Sequence, residues 1–141
     1  MAQIEAEFQD KRRIVFTSRD RSFVNVRDMR DDGPIGFSSG ELLLMALGNC
    51  SLGTLLNHEI FDDISPSKVT ASLESIGEAN PSRMSAINVN IEIEVDEESL
   101  QGREATLERI ADNCPIGNTL RFTPEVEVKV KLISRGKSSV S

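Results

Sequence analysis

SSGELLLMALGNCSLG, residues 38–53, decides how this chain folds, because it joins a complete helix start to a run that is apolar almost all the way round. Ser38 suits an N-cap, Glu41 three residues on closes a capping box, and Phe37 is placed to staple onto Leu42. The pattern predicts a helix that begins at Ser38 and lasts until His58-Glu59. A helix with so few polar positions is buried on most faces rather than laid on a surface, so it is the expected centre of the core. Ala46, Gly48, Ser51 and Gly53 are small and let another backbone come close. A second long helix or a second subunit is the expected neighbour.

On the N-terminal side, IEAEF, RIVFTS and SFVNVR alternate apolar and polar residues between charged breaks, which predicts three antiparallel strands. DDGPIGFSS then reads as a loop. On the C-terminal side, KVTASLESIGE and SAINVNIEIEVD predict a hairpin of two long strands joined by EANPSR. VDEESLQGREATLERIADN carries Leu100, Ala105, Leu107, Ile110 and Ala111 roughly on one face and predicts an amphipathic helix. Cys114-Pro115 ends it, and proline at a first helical position predicts a short helix over PIGNTLR with Cys114 at its start. EVEVKVKLI alternates as a last strand before a frayed tail. The order is βββ-α-ββ-α-α-β, an α+β domain with antiparallel sheets around a central buried helix. A single domain over 1–134 is expected, with 135–141 a flexible tail.

The 141 residues are 38% hydrophobic and 28% charged, with no Trp or Tyr, the composition of a globular protein. A formal net charge of −7 and the lack of a basic stripe argue against nucleic acid and anionic lipid surfaces as partners. MAQIEAEFQD lacks the basic start and apolar core of a secretory signal, so a cytoplasmic location is expected. Leu42 to Leu56, the longest apolar stretch, is 15 residues containing Asn49, Ser51 and Thr54, short of the roughly 20 that cross a bilayer. No membrane span is expected. Two cysteines in such a chain are expected to be reduced at rest, and a disulfide between them to be transient.

The residues leave few routes to chemistry. His58 is the one histidine, and its place at the end of the first helix suits a structural role against the C-terminal dipole. Two cysteines and one histidine without CxxC spacing make no four-ligand zinc site, so no metal is expected. GPIG and GNTL match neither a P-loop nor a dinucleotide fingerprint, and no cofactor is expected. Two thiols remain. Free amide donors at a helix start favour a thiolate at Cys114. An apolar surround disfavours charge at Cys50, so a nucleophilic Cys50 needs a cation, for which Arg19, Arg21, Arg27 and Arg30 are the upstream supply. Both cysteines also suit simple core positions, since free cysteine is among the most buried residue types.

GPIGFSSGELLLMALGNCSLGTLL, followed 64 residues after Cys50 by CPIGNTL, resembles the OsmC/Ohr superfamily in its paired cysteine motifs. The resemblance covers the element order of nearly the whole chain. It implies an intertwined homodimer with both thiols near the subunit interface, and a thiol-dependent reductase of organic hydroperoxides acting in oxidative stress defence. Cys50 would be peroxidatic and Cys114 resolving, with an external dithiol as reductant. It further implies an arginine about twenty positions before the first cysteine, which is Arg30, with Arg27 the fallback. The glutamate of the peroxidase pattern falls ten residues before Cys50 on Gly40, while Glu41 stands nine before, as in a less characterised branch. Nine helical residues turn about 900°, which sets Glu41 opposite Cys50. Glu41 is therefore expected to serve as a cap, and it is also the candidate catalytic carboxylate. The alternative implied by the same fold is a non-enzymatic dimer that senses redox state or binds a hydrophobic small molecule.

Overall fold

The computed structural model describes residues 2–9, 12–96 and 98–136. β1 (Glu5–Phe8), β2 (Arg13–Ser18) and β3 (Arg21–Val26) form the expected antiparallel meander, in which Phe16 faces Phe23 and Val15 faces Val24. The segment expected to be a loop holds the turn and second strand of a miniature hairpin, β4 (Met29–Arg30) with β5 (Gly33–Pro34). Its two-residue turn is Asp31-Asp32, and Gly33 takes φ 128, a conformation that side chains oppose. Asn25, buried in β3, accepts from the Phe37 N–H at 2.8 Å and donates to the Phe37 carbonyl at 2.9 Å. The approach to the first helix is thereby tied to β3.

That helix, α1 (Ser39–Leu56), starts as its sequence requires. The Ser38 hydroxyl accepts from the Glu41 N–H at 3.1 Å, and the Glu41 carboxylate accepts from the Ser38 N–H at 2.8 Å. After a short 3₁₀ turn (Glu59–Phe61), β6 (Lys68–Glu78) and β7 (Arg83–Glu94) form the long antiparallel hairpin. Val69 faces Ile93, Ala71 faces Ile91 and Leu73 faces Val89, so the alternation of both strands puts one apolar face toward the core. α2 (Glu104–Asp112) and α3 (Pro115–Arg121) follow, and α1 packs against α2, α3 and β6. Leu55, Phe61, Leu100 and Ala111 make the core, ringed by Ile60, Ile64, Ile91, Ile93, Val95, Leu107 and Ile110.

Three expectations are corrected. α1 is buried on one stripe only, Leu47, Gly48, Ser51 and Leu55, while Leu43, Met45 and Leu56 are exposed by 37%, 46% and 38%. One hairpin and two short helices cover only one side of it, so an all-round apolar helix keeps an open face in the single chain. The close approach expected from its small residues occurs at Gly48, where an added Cβ would lie 3.1 Å from the Leu73 side chain of β6; at Gly53 it would meet nothing within 4 Å. Within the single chain, the neighbour at Gly48 is a strand rather than a second long helix.

Finally, residues 125–133 form no strand, and Val126, Val128, Val130 and Leu132 are 83%, 83%, 85% and 93% exposed. Alternation states a preference, but a strand exists only where another edge takes its hydrogen bonds. Of the expected tail over 135–141, residues 137–141 lie outside the described residues. By length and mean hydropathy alone, the 18 residues of α1 are enough to cross a membrane. Here its buried stripe is a wall of the protein core.

Candidate active site: two thiols at one helix start

The short α3 brings the two cysteines together. Proline at its first position removes an amide that would have no helical partner, and Cys114 takes the N-cap with φ −105 and ψ 148. The Cys114 sulfur accepts from the Gly117 N–H at 3.2 Å, the role that a serine hydroxyl plays at an ordinary cap. The next free amide, Ile116 N–H, donates to Cys50 Sγ at 3.5 Å. Cys50 reaches this point from the fourth turn of α1, and it is one of the groups that lower the Cys114 thiol. Ser51, the next residue on α1, sets its hydroxyl 3.6 Å from Cys114 Sγ.

The two thiols differ in their surroundings. Cys114 is 1% exposed, while Cys50 is half-buried, and both are free. Burial pushes the Cys114 thiol up, yet the Gly117 N–H, the Ser51 hydroxyl, Cys50 and the Ile116 N–H together outweigh it and hold it below the ordinary thiol value. Gly117 has a second role here. A Cβ on it would come within 3.2 Å of Cys114 Sγ and 3.4 Å of Arg121 Nη1, so a side chain there would crowd the sulfur by a few tenths of an ångström. The Arg121 guanidinium borders the same space, where it donates to the Asp112 carbonyl at 3.1 Å and pairs with the Asp112 carboxylate. This ion pair clamps the turn between α2 and α3.

The other residues singled out by the sequence stand apart from this cluster in their bonding. Arg30 sits in β4 with its side chain 59% exposed, and its ion-pair partner is Asp32 at 3.5 Å. Arg27 is also exposed. Glu41 is occupied by the capping box, and the Ser38 backbone N–H, then its hydroxyl, hold the carboxyl below the usual carboxylate value. His58 is structural in a way different from the one expected: its Nδ1 accepts from the Ile60 N–H at 3.1 Å, capping the following 3₁₀ turn. No group of three or more potential metal ligands occurs among the described residues.

Sequence reasoning missed Ser51, Ile116, Gly117 and Arg121. The glycine had a signal: CPIG puts the one residue without a side chain three positions after the capping cysteine. Beside the thiols, an open cleft of about 1880 Å³ runs between α1, β7 and α2, lined by residues including Leu43, Leu47, Ile91 and Leu107. Ser51 and Cys114 are part of its wall, and Cys50 is not among its lining residues.

The family model described as OsmC-like protein matches residues 30–129, which holds α1, both cysteines and every element between them. The chain belongs to the OsmC-like family. Solved structures agree with that membership at the level of the fold. An OsmC-like protein from Mycoplasma pneumoniae superposes with a TM-score of 0.71 at 19% identity, covering 87% of this chain and 89% of that one. A protein from Psychrobacter arcticus, described as a candidate osmotic stress induced and detoxification response protein, gives a TM-score of 0.67 at 19% identity over 84% and 88%. A hypothetical protein from Aquifex aeolicus gives 0.65 at 14% identity over 87% and 89%. None of the curated proteins compared with the chain matches it. The OsmC-like chain is thus α+β with antiparallel sheets, as its sequence predicts.

Proposed function

We propose that this OsmC-like protein is a thiol-dependent reductase of organic hydroperoxides, a cytoplasmic enzyme of oxidative stress defence in which Cys50 is peroxidatic and Cys114 resolving. The observation that carries the reading is the convergence of two free thiols, 64 residues apart, on the amides of Ile116 and Gly117. In the first step the Cys50 thiolate attacks one oxygen of the O–O bond. The other oxygen leaves with the bonding pair and is protonated to an alcohol, so Cys50 becomes a sulfenic acid. The Cys114 thiolate then attacks the Cys50 sulfur, hydroxide departs and takes a proton, and a disulfide closes. An external dithiol supplies the two electrons that reopen it.

Arg30 is the guanidinium this reading assigns to the Cys50 thiolate, and Glu41 the accompanying carboxylate. A homodimer is part of the same proposal. The exposed apolar residues of 125–133, the open face of α1 and the cleft are surfaces that a second copy would cover. Mass spectrometry after cumene hydroperoxide tests the chemistry: the wild type loses two hydrogens, whereas Cys114→Ser does not and accumulates over-oxidised Cys50. An unchanged wild-type mass overturns the reading.

A second reading is a non-enzymatic redox-sensing or ligand-binding dimer. It is favoured by the size of the cleft and by the engagement of Glu41 in a cap and of Arg30 with Asp32. It expects peroxide consumption no faster than that of free cysteine, together with tight binding of a hydrophobic ligand.

A further inference from the structure

We infer that Ser51 is a positioning residue for Cys114: its buried hydroxyl donates to the Cys114 thiolate and makes that sulfur the one that departs when an external thiol reduces a Cys50–Cys114 disulfide. This rests on the reading of the two thiols as a reversible pair.

A serine inside a helix commonly bonds back to a carbonyl of its own preceding turn. Ser51 is 4% exposed, and its hydrogen bond instead crosses from α1 to the cap of α3 at 3.6 Å. A buried hydroxyl needs a partner, and this one has been given sulfur. As a result, Cys114 Sγ faces two donors other than Cys50, the Gly117 N–H and the Ser51 hydroxyl, while Cys50 Sγ faces the Ile116 N–H. Access is skewed in the same direction, since Cys114 is 1% exposed and Cys50 is half-buried. Thiol–disulfide exchange is fastest when the accessible sulfur is attacked and the better stabilised one leaves. Both conditions select the same polarity.

In the exchange, the incoming thiolate forms a bond to Cys50 Sγ, and the Cys50–Cys114 bond breaks with its electron pair going to Cys114. The Gly117 N–H and the Ser51 hydroxyl receive that thiolate. With a dithiol, the second thiol attacks the reductant's own sulfur, releases Cys50 as thiolate and leaves as a cyclic disulfide. Two electrons pass from the dithiol to the protein pair. The other titratable groups around Cys114 are Cys50 on α1 and the Arg121–Asp112 pair on α3 and α2, and a change at Ser51 leaves all three in place.

The test starts from protein oxidised with diamide, so it does not depend on peroxide turnover. Limiting 2-mercaptoethanol is added, the reaction is quenched in acid, and the mixed disulfide is mapped by peptide mass spectrometry. The adduct is expected on Cys50, and an adduct on Cys114 overturns the assignment, as does a failure of diamide to link the pair. The thiolate absorbance of Cys114 is then titrated in a Cys50→Ser background. Adding Ser51→Ala should move the midpoint up by about half a unit to one unit, and Ser51→Thr, which keeps the hydroxyl, should bring it back. An unmoved midpoint in Ser51→Ala overturns the proposal. If diamide links the thiols, the adduct maps to Cys50 and the midpoint shifts while hydroperoxides leave the protein unoxidised, the peroxidase reading falls and the role of Ser51 stands.

Discussion

Ser38 and Cys114 occupy the same place on two helices and do different work. Each is an N-cap whose side chain accepts the amide three residues on, from Glu41 at 3.1 Å in one case and Gly117 at 3.2 Å in the other. At α1 the third residue is a glutamate that returns the bond to the Ser38 N–H, and the box stands in solvent. At α3 the third residue is a glycine that returns nothing and leaves room for a second thiol and a hydroxyl to approach the cap. A capping bond to oxygen organises a helix. The same bond to a buried sulfur, joined by further donors, also stabilises an anion that can react.

The sharpest break between the two caps is Cys114→Ser. Serine keeps the capping geometry, so unfolding free energy should change by less than about 1 kcal/mol in urea titrations. Disulfide formation with Cys50 should be lost entirely, as read by thiol counting after oxidation. The variant also removes a pH dependence. The folded Cys114 thiol lies below its ordinary value of 9.0, so its contribution to stability is present above that value and is lost as pH falls through the lowered one. The wild type should therefore gain on Cys114→Ser as pH rises through that window, and equal slopes would contradict the assignment.

Ser38→Ala is the converse. It should cost about 1 kcal/mol and lower Tm by about 3–4 °C in calorimetry while leaving the titration of Cys114 in place. Gly117→Ala should do the reverse on a smaller scale. The methyl pushes at the sulfur from 3.2 Å, which should raise the Cys114 midpoint by about half a unit, with the helical preference of alanine offsetting the strain in stability. Glu41→Gln should do least, within about 0.5 kcal/mol, because glutamine also closes a capping box. Full peroxide turnover in Glu41→Gln would leave the carboxylate with the cap as its role, and loss of turnover with an intact fold would make it catalytic.

Much of this was legible in local sequence. The capping box of α1, the meander, the β6–β7 hairpin and the position of Cys114 before a proline are all consequences of residues within a few positions of one another. The β4–β5 hairpin was missed because two residues a strand are too few to show alternation, although Asp32-Gly33 carried a turn signal. The last strand was misjudged for the opposite reason: EVEVKVKLI alternates over nine residues, yet pairing depends on an edge that local sequence does not contain. Ser51 gave no signal at all, since a serine beside a cysteine on an apolar helix is unremarked until something packs against it.

The sequence by itself determined where the helices begin, which strand faces are apolar and which residue caps α3, because each of these follows from hydrogen-bonding and periodicity over one or two turns. Only the tertiary structure decided that α1 would bury one stripe, that Cys50 would meet the amide of Ile116, and that the Ser51 hydroxyl would turn from its own helix to the Cys114 sulfur. The two sulfur contacts join residues more than sixty positions apart. They depend on how α1 and α3 pack together, which no local pattern of side chains encodes.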